Sequence, residues 1–552
     1  MALPGITMTI EDGALGTLPP NVAGASAKIG ICSKGVPNTV KGYSDINQLS
    51  ADLGSGPLVE AIGQVLNVAG GPVYACPASP TTPGTAGVNG TGGGTTHVGP
   101  GTGTVAVSLA PDRVIVAKIS TAGILATSQV QFSVDGGAYS APVPTAATIL
   151  VPGTLTVLTF PAGTYVLNAT YTVGTNGVVT NAGGGPTVTQ ASSPTDAFDA
   201  IVQINTAGGL GVGAFMYSTD GANSVSPIIA IPGGGVYAIP GTGLVLTFAG
   251  TFTAGDTYSF TSVAAAFTVS DVNSAMDVLS GQATEWDHIH VVGAPSSAAN
   301  AYTLAVAVDT KLTGMETAFR YTYALTECPT TEADSVLIST FASYVSKRVT
   351  VCAGDAAVVS PLTSKINRRN CAWVVAARIA LISQEEDPAW VGRGALPGVT
   401  SLYRNEAATP GLDEQRFTTL TRQRGKEGYF ITNFRMMAPG GSDFTYGMNR
   451  RVMDTACRIT RQAELPYLNQ EVTIGPNGFI DEKEAQRFEA DVNSQLRAGL
   501  IAPGMASSAQ VVMSRTANLL AGASQPVTVR VIPKAYLKHI TTSIGFSNPA
   551  IG

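Results

Sequence analysis

Charge is scarce in this chain. Of its 552 residues 12% are charged, about half the usual share. With 44% hydrophobic residues and a net charge of -6, it has the opposite of a disordered composition, which needs low hydrophobicity and high net charge. That weak, negative charge gives no broad electrostatic reason to bind nucleic acid. Six cysteines (32, 76, 328, 352, 371 and 457) make no CxxC pair and no metal spacing, which points to buried reduced thiols. Long apolar runs are also missing. The nearest, Cys371–Ser383, is short and interrupted by Arg378, whereas about 20 apolar residues cross a bilayer. No basic segment precedes an apolar stretch in Met1–Ile10, so a cleaved signal peptide is not expected.

Catalytic patterns are equally hard to find. There is no GxSxG, HExxH or Walker A motif, and no credible dinucleotide fingerprint. Of four histidines, His288 and His290 lie two apart. On a strand both would face one side and could ligate a metal, but no nearby Cys/His cluster completes a shell. Glu385, Glu386 and Asp387 read as a solvated loop or interface patch rather than paired catalytic carboxylates. Arg416, Arg422, Arg424 and the arginines of 447–468 read as salt-bridged subunit contacts. No enzyme activity, cofactor or metal is expected.

What charge there is divides the chain. Residues 82–270 hold Arg113, Lys118 and six aspartates in 189 positions, while 271–552 hold 26 charges of each sign. Such a shift argues for a domain boundary on each side of the middle segment. Its opening tract, 82–105, is rich in Gly and Thr and reads as a flexible linker. Beyond it the sequence repeats. Ile119–Gly123 recurs as Ile204–Gly208, Asp135-Gly136 as Asp220-Gly221, Leu158–Phe160 as Leu246–Phe248, and Thr170–Val173 as Thr257–Phe260. Alternating Val, Thr, Tyr and Phe before an Asp-Gly turn is strand–turn–strand grammar. The segments 106–180 and 195–264 are therefore expected to be two small β-sandwich-like domains. They should be an insertion that can be deleted without loss of the core.

From 265 onward the pattern is mixed α/β. Helices are expected over Val272–Leu279, Ala298–Phe319, Glu332–Tyr344, Gly447–Leu468 and Asp481–Ala498. Strands are expected over His288–Val292, Tyr321–Leu325, Arg348–Cys352 and Val527–Ile532. The fold class is then α+β multidomain: a mixed α/β core built from 1–81 and 265–552, interrupted by two all-β domains.

Gly56–Ile62 (GPLVEAI), Ala69–Tyr74 (AGGPVY), Asn449–Asp454 (NRRVMD) and Val527–Ile540 (VTVRVIPKAYLKHI) together resemble contractile tail sheath proteins of tailed bacteriophages and related contractile injection systems. The resemblance covers about 1–81 and 265–552. It implies a structural subunit of the virion tail that stacks in hexameric rings with copies of itself around a tail tube. Partners would be the tube, baseplate and tail-terminator proteins, with no direct nucleic acid contact and no membrane insertion. It also implies that terminal strand arms complete a sheet in neighbouring subunits. Ile6, Thr7, Met8, Thr9 and Ile10 alternate in polarity, as do Val527, Thr528, Val529, Arg530, Val531 and Ile532, and neither segment has a hairpin partner beside it in sequence. An unpaired strand edge recruits another chain. The alternative is that both strands pair within their own subunit. Glu11, Asp12, Lys534 and Lys538 flank the arms, and these with Arg450 and Arg451 are the candidate inter-subunit charges. A tail adhesin that grips a receptor with the β repeats is the competing function.

Overall fold

A computed structural model of the chain describes residues 24–89, 91–522 and 524–546. They form two bodies, one built from 24–382 and 388–447, the other from 383–387 and the residues after 447.

The first body is organised by a six-stranded sheet. Its strands are β1 (Ser26–Gly30), β2 (Lys41–Tyr43), β3 (Val73–Pro77), β4 (His288–Val291), β5 (Tyr323–Glu327) and β6 (Val349–Cys352), in the order β2-β3-β1-β4-β5-β6. All neighbours are parallel except β2, which runs antiparallel to β3 at one edge. Parallel strands are joined by crossovers that cover both faces, so they read as continuous apolar runs, and β1, β4, β5 and β6 are buried along their whole length. One face, with Ala27, Ile29, Ile289, Val291 and Ala324, packs with helices α3 (Val269–Ser280) and α4 (Ala298–Thr317). The other packs under α1 (Ile46–Leu53), α2 (Pro57–Ala69) and α6 (Ala372–Leu381) through Leu58, Ile62, Val65, Trp373 and Ala377. Helix α5 (Asp334–Phe341) joins β5 to β6.

Local chemistry sets these bounds. Thr268 and Asp271 form a reciprocal capping box at the start of α3. Pro57 opens α2, and Gly70, at φ +74°, closes it. The apolar run Cys371–Ser383 is the buried helix α6, and its Arg378 donates to the Gly394 and Ala395 carbonyls. A three-stranded antiparallel sheet of β7 (Asp355–Val359), β8 (Ile366–Asn370) and β9 (Val399–Arg404), with β7 in the middle, follows β6.

The mixed α/β class expected for the chain is what the structure has, with all-β material between β3 and α3. The tract 82–105 differs from the expected linker. Thr85–Val88 and Thr96–Val98 both pair with Thr257–Val263, and Thr104–Leu109 pairs with Leu244–Ala249. Reading glycine content as flexibility overlooked the alternation in Thr104–Leu109, where Val105 and Val107 are buried against strands more than 130 residues away. One apolar core gathers Val105, Val107, Val202, Phe215, Leu246 and Phe260, and a second gathers Ile119, Phe132, Leu158 and Tyr171. The latter runs on to Ser192, because Thr189–Ser192 pairs with Thr156–Thr159.

The second body contains α7 (Gly447–Glu464), α8 (Glu482–Leu496) and the antiparallel hairpin of β10 (Ala506–Met513) and β11 (Val527–Pro533). Val452 and Ile459 of α7, Phe488 and Val492 of α8, and Val511 and Met513 of β10 share its core. Among the described residues no helix is long and apolar enough to cross a membrane.

Candidate assembly surface and buried charge clusters

The residues expected to act between subunits separate into four groups. Ile6, Thr7, Met8, Thr9, Ile10, Glu11 and Asp12 lie outside the described residues. The strand Val527–Ile532 is not without a partner, as its sequence surroundings suggested. Val527, Thr528, Val529, Arg530, Val531 and Ile532 of β11 register against Met513, Val512, Val511, Gln510, Ala509 and Ser508 of β10. The partner was missed because β10 reads ASSAQVVM, with too little alternation to announce a strand. Arg450 and Arg451 are not surface charges either. Arg451 is fully buried and donates to the Ser383 carbonyl, and Arg450 donates Nε–H to Asp454 at 2.9 Å one helical turn along α7. Charge reversal at either position would strand a buried carboxylate in their place, so it would report on folding and not on assembly.

Lys534 and Lys538 do carry a function in their own chain. Lys534 Nζ lies 3.6 Å from Glu385, Lys538 pairs with Asp387, and the Tyr536 hydroxyl between them donates to the Glu385 carbonyl. The acidic trio 385–387 is thus the mooring of the segment that leaves β11. Beyond the mooring residues 539–546 have no regular structure, and they present Ile540, Ile544 and Phe546 at 73%, 93% and 110% exposure; Leu537, within the mooring, is 89% exposed. Large apolar side chains so completely in water signal an interaction site. The β10–β11 hairpin adds open edges, since among the described residues each strand pairs only with the other.

Two charge clusters are buried in the first body. Lys28 of β1, His290 of β4 and Glu327 of β5 form a hydrogen-bonded row across adjacent strands: Lys28 Nζ lies 2.9 Å from His290 Nδ1, and His290 Nε2 lies 2.9 Å from Glu327 Oε1. As an ammonium Lys28 can only donate, so in that form Nδ1 accepts and Nε2–H donates to the carboxylate, which sets one neutral tautomer. Burial holds His290 well below its usual range, helped by Lys28 and His288. Burial also pulls the Lys28 ammonium down to about 7 against the pull of Glu327, and pushes the Glu327 carboxyl up to about 7. The metal weighed for His288 and His290 gains no ligands: no group of three or more His, Cys, Asp or Glu able to hold a metal occurs among the described residues.

These shifts make stability depend on pH in opposite senses. Glu327 binds its proton more tightly when folded, so its contribution is full below about 4.5 and is lost as pH rises through about 7. Lys28 binds its proton less tightly when folded, so its contribution is full above about 10.5 and is lost as pH falls through about 7. The row is expected to add a stability trough near neutral pH, each side sloping by at most about 1.4 kcal/mol per pH unit. Urea midpoints at pH 5.5, 7 and 9 should show it as a difference from a Lys28→Met/Glu327→Gln variant. An identical trough in the variant would place its origin elsewhere.

The second cluster joins the inserted region to the core. Asp196 accepts both Nη groups of Arg369 on β8, one at 2.9 Å, with Arg369 and Asp196 only 8% and 6% exposed. The guanidinium also stacks 4.6 Å from the Trp373 ring centroid, with Glu60 and Glu327 close enough to favour its charge. Alongside, Lys365 donates to the Thr219 hydroxyl and the Ile366 N–H to Asp220.

Compared with known proteins, the chain is similar to a sheath tail protein of Desulfitobacterium hafniense at 10% identity and a TM-score of 0.44, covering 96% of this chain and 100% of that one. It is similar to a sheath tail protein of Listeria innocua at 11% identity and a TM-score of 0.41, covering 94% and 96%. A chain of the anti-feeding prophage baseplate is similar at 14% identity and a TM-score of 0.39, covering 52% of this chain and 76% of that one. No curated protein matches the sequence. The models for the N-terminal and C-terminal domains of DUF2586 match residues 3–435 and 443–551, and the chain therefore belongs to the DUF2586 family.

Proposed function

We propose that this protein is the structural subunit of a contractile tail sheath. It polymerises helically around a tail tube and shortens to drive that tube through a bacterial envelope. The observation that carries the reading is the C-terminal segment: an open-edged hairpin, a moored linker, and then Ile540, Ile544 and Phe546 in water. Such a segment is a strand or plug awaiting a neighbour, and repeated head-to-tail use of one heterologous contact propagates a helix. The sequence resemblance of Gly56–Ile62, Ala69–Tyr74, Asn449–Asp454 and Val527–Ile540 to tail sheath proteins supports the same reading. In it the subunits stack as hexameric rings and meet baseplate and terminator proteins at the two ends. The two β cores between β3 and α3 are a repeated insertion on the outside of the tube. The protein is assembled in the host cytoplasm and carried in the virion tail.

Electron microscopy of the purified full chain in negative stain tests this. Long, transversely striated tubes are the expected result. Discrete trimers would favour a receptor-gripping adhesin, and a monodisperse monomer at high concentration would remove the assembly reading.

A further inference from the structure

The first body carries an exposed surface that its own packing does not use. Leu420–Thr421 and Phe430–Ile431 form a short buried antiparallel hairpin whose tip, Arg422 to Glu427, is exposed at every residue. A Gln423 carbonyl to Lys426 N–H bond closes the tip, and the Tyr429 carbonyl accepts from Leu396 N–H at 2.8 Å. That bond sets the hairpin beside the turn 390–395, which Arg378 braces from below. On this turn Trp390 is 55% exposed and the Arg393 guanidinium lies 5.7 Å from its ring centroid.

Five arginines elsewhere in this body are paired internally: Arg348 on Glu316, Arg368 on Asp355, Arg369 on Asp196, Arg404 on Asp334, Arg435 on Asp413. The side chains of Arg422, Arg424 and Lys426 make no hydrogen bond or ion pair among the described residues. Three free cations within five residues repel one another, and the base of their hairpin is bonded just past the turn that carries the exposed Trp390. Arg and Trp are the residue types that dominate interface energetics.

We propose that the 422–428 tip, with Trp390 and Arg393, is a docking surface for a carboxylate-rich face of another protein. Guanidinium groups match carboxylates in paired hydrogen bonds, and the exposed Trp390 ring offers an apolar anchor. A nucleic acid is the weaker fit. Phosphate binding draws on many dispersed cations, whereas this chain is net negative and Glu427 lies within the tip itself.

The test compares full-length protein with an Arg422→Ala/Arg424→Ala/Lys426→Ala variant and with Trp390→Ala. Fluorescence anisotropy with a labelled oligoglutamate peptide, and with an oligothymidylate of equal charge, reads binding, and the thermal midpoint checks folding. At low salt the triple variant should bind oligoglutamate about tenfold more weakly, from three ion pairs of roughly half a kcal/mol each. Trp390→Ala should weaken it further, with midpoints unchanged. Equal oligoglutamate binding by wild type and triple variant would overturn the proposal. So would tighter binding of oligothymidylate that the same substitutions abolish, which would make the surface a phosphate site.

Discussion

Asp196→Asn is expected to destabilise the first body by about 3 kcal/mol, while Asp196→Asn combined with Arg369→Met costs less than Asp196→Asn alone. Removing one partner of a buried ion pair typically costs about 3–5 kcal/mol, because the charge left behind has neither water nor a counter-ion, whereas an apolar replacement of the whole pair is often close to neutral. The low end applies here because Glu60 and Glu327 still favour the Arg369 charge, and because Met can take the place of the guanidinium stem against Trp373. Denaturant unfolding of the four proteins of the cycle measures this, with hydrogen exchange across 192–198 locating the effect. A double variant that loses as much as the sum of the singles would show that the pair is not coupled. The same geometry changes what deleting the inserted region should do. Removing 82–261 takes away Asp196, Thr219 and Asp220 together and leaves Arg369 buried on β8 without its main carboxylate. The core should tolerate that deletion only when Arg369→Met accompanies it.

Neither half of this latch was legible in the sequence, and the reason is physical. Asp196 and Arg369 are 173 residues apart, and a bidentate pair leaves no periodicity or spacing to read. Elements stabilised by their neighbours in sequence were legible. The capping box at Thr268 and the Asp481 N-cap of α8 announce their helices. The helices and strands expected from Val272 to Ile532 are present with bounds shifted by at most four residues. The Gly/Thr tract 82–105 failed because strand formation there depends on partners at 244–263. Arg450 and Arg451 failed for a related reason. Arginines along a helix with balancing acids read as contacts between subunits, yet α7 uses these side chains inside its own body, with Arg450 on Asp454 and Arg451 on Ser383. The row Lys28–His290–Glu327 shows the same limit within a sheet. Pairing His288 with His290 by strand periodicity was sound, but the groups that claim His290 come from strands 262 positions before and 37 positions after it.

Truncation after Lys538 is expected to leave a folded monomer that forms no tubes. The cut keeps β11, the Lys534–Glu385 and Lys538–Asp387 pairs and the Tyr536 hydrogen bond, so these contacts of the second body are all retained. What disappears are Ile540, Ile544 and Phe546, whose exposure makes them neutral for the monomer. Buried in a neighbour, each would contribute about 1.5–3 kcal/mol, and in a lattice every subunit would lose that contact at once. A cut after Gln525 behaves differently from a simple loss of an arm. It removes β11, the partner of β10 at seven register positions from Ala506 to Met513, and uncovers the edge next to Val511 and Met513 in the α7–α8 core. That protein should show a lowered thermal midpoint and aggregation instead of a clean monomer. Circular dichroism melts and negative-stain images of the two truncations separate the cases. Normal tubes from the Lys538 truncation would sink the assignment of Ile540–Phe546 as the joint. Loss of fold in that same truncation would mean that the segment packs on its own chain. A stable monomer from the Gln525 truncation would show that β10 needs no partner from within its own subunit, and would return β11 to the role of an exchanged strand.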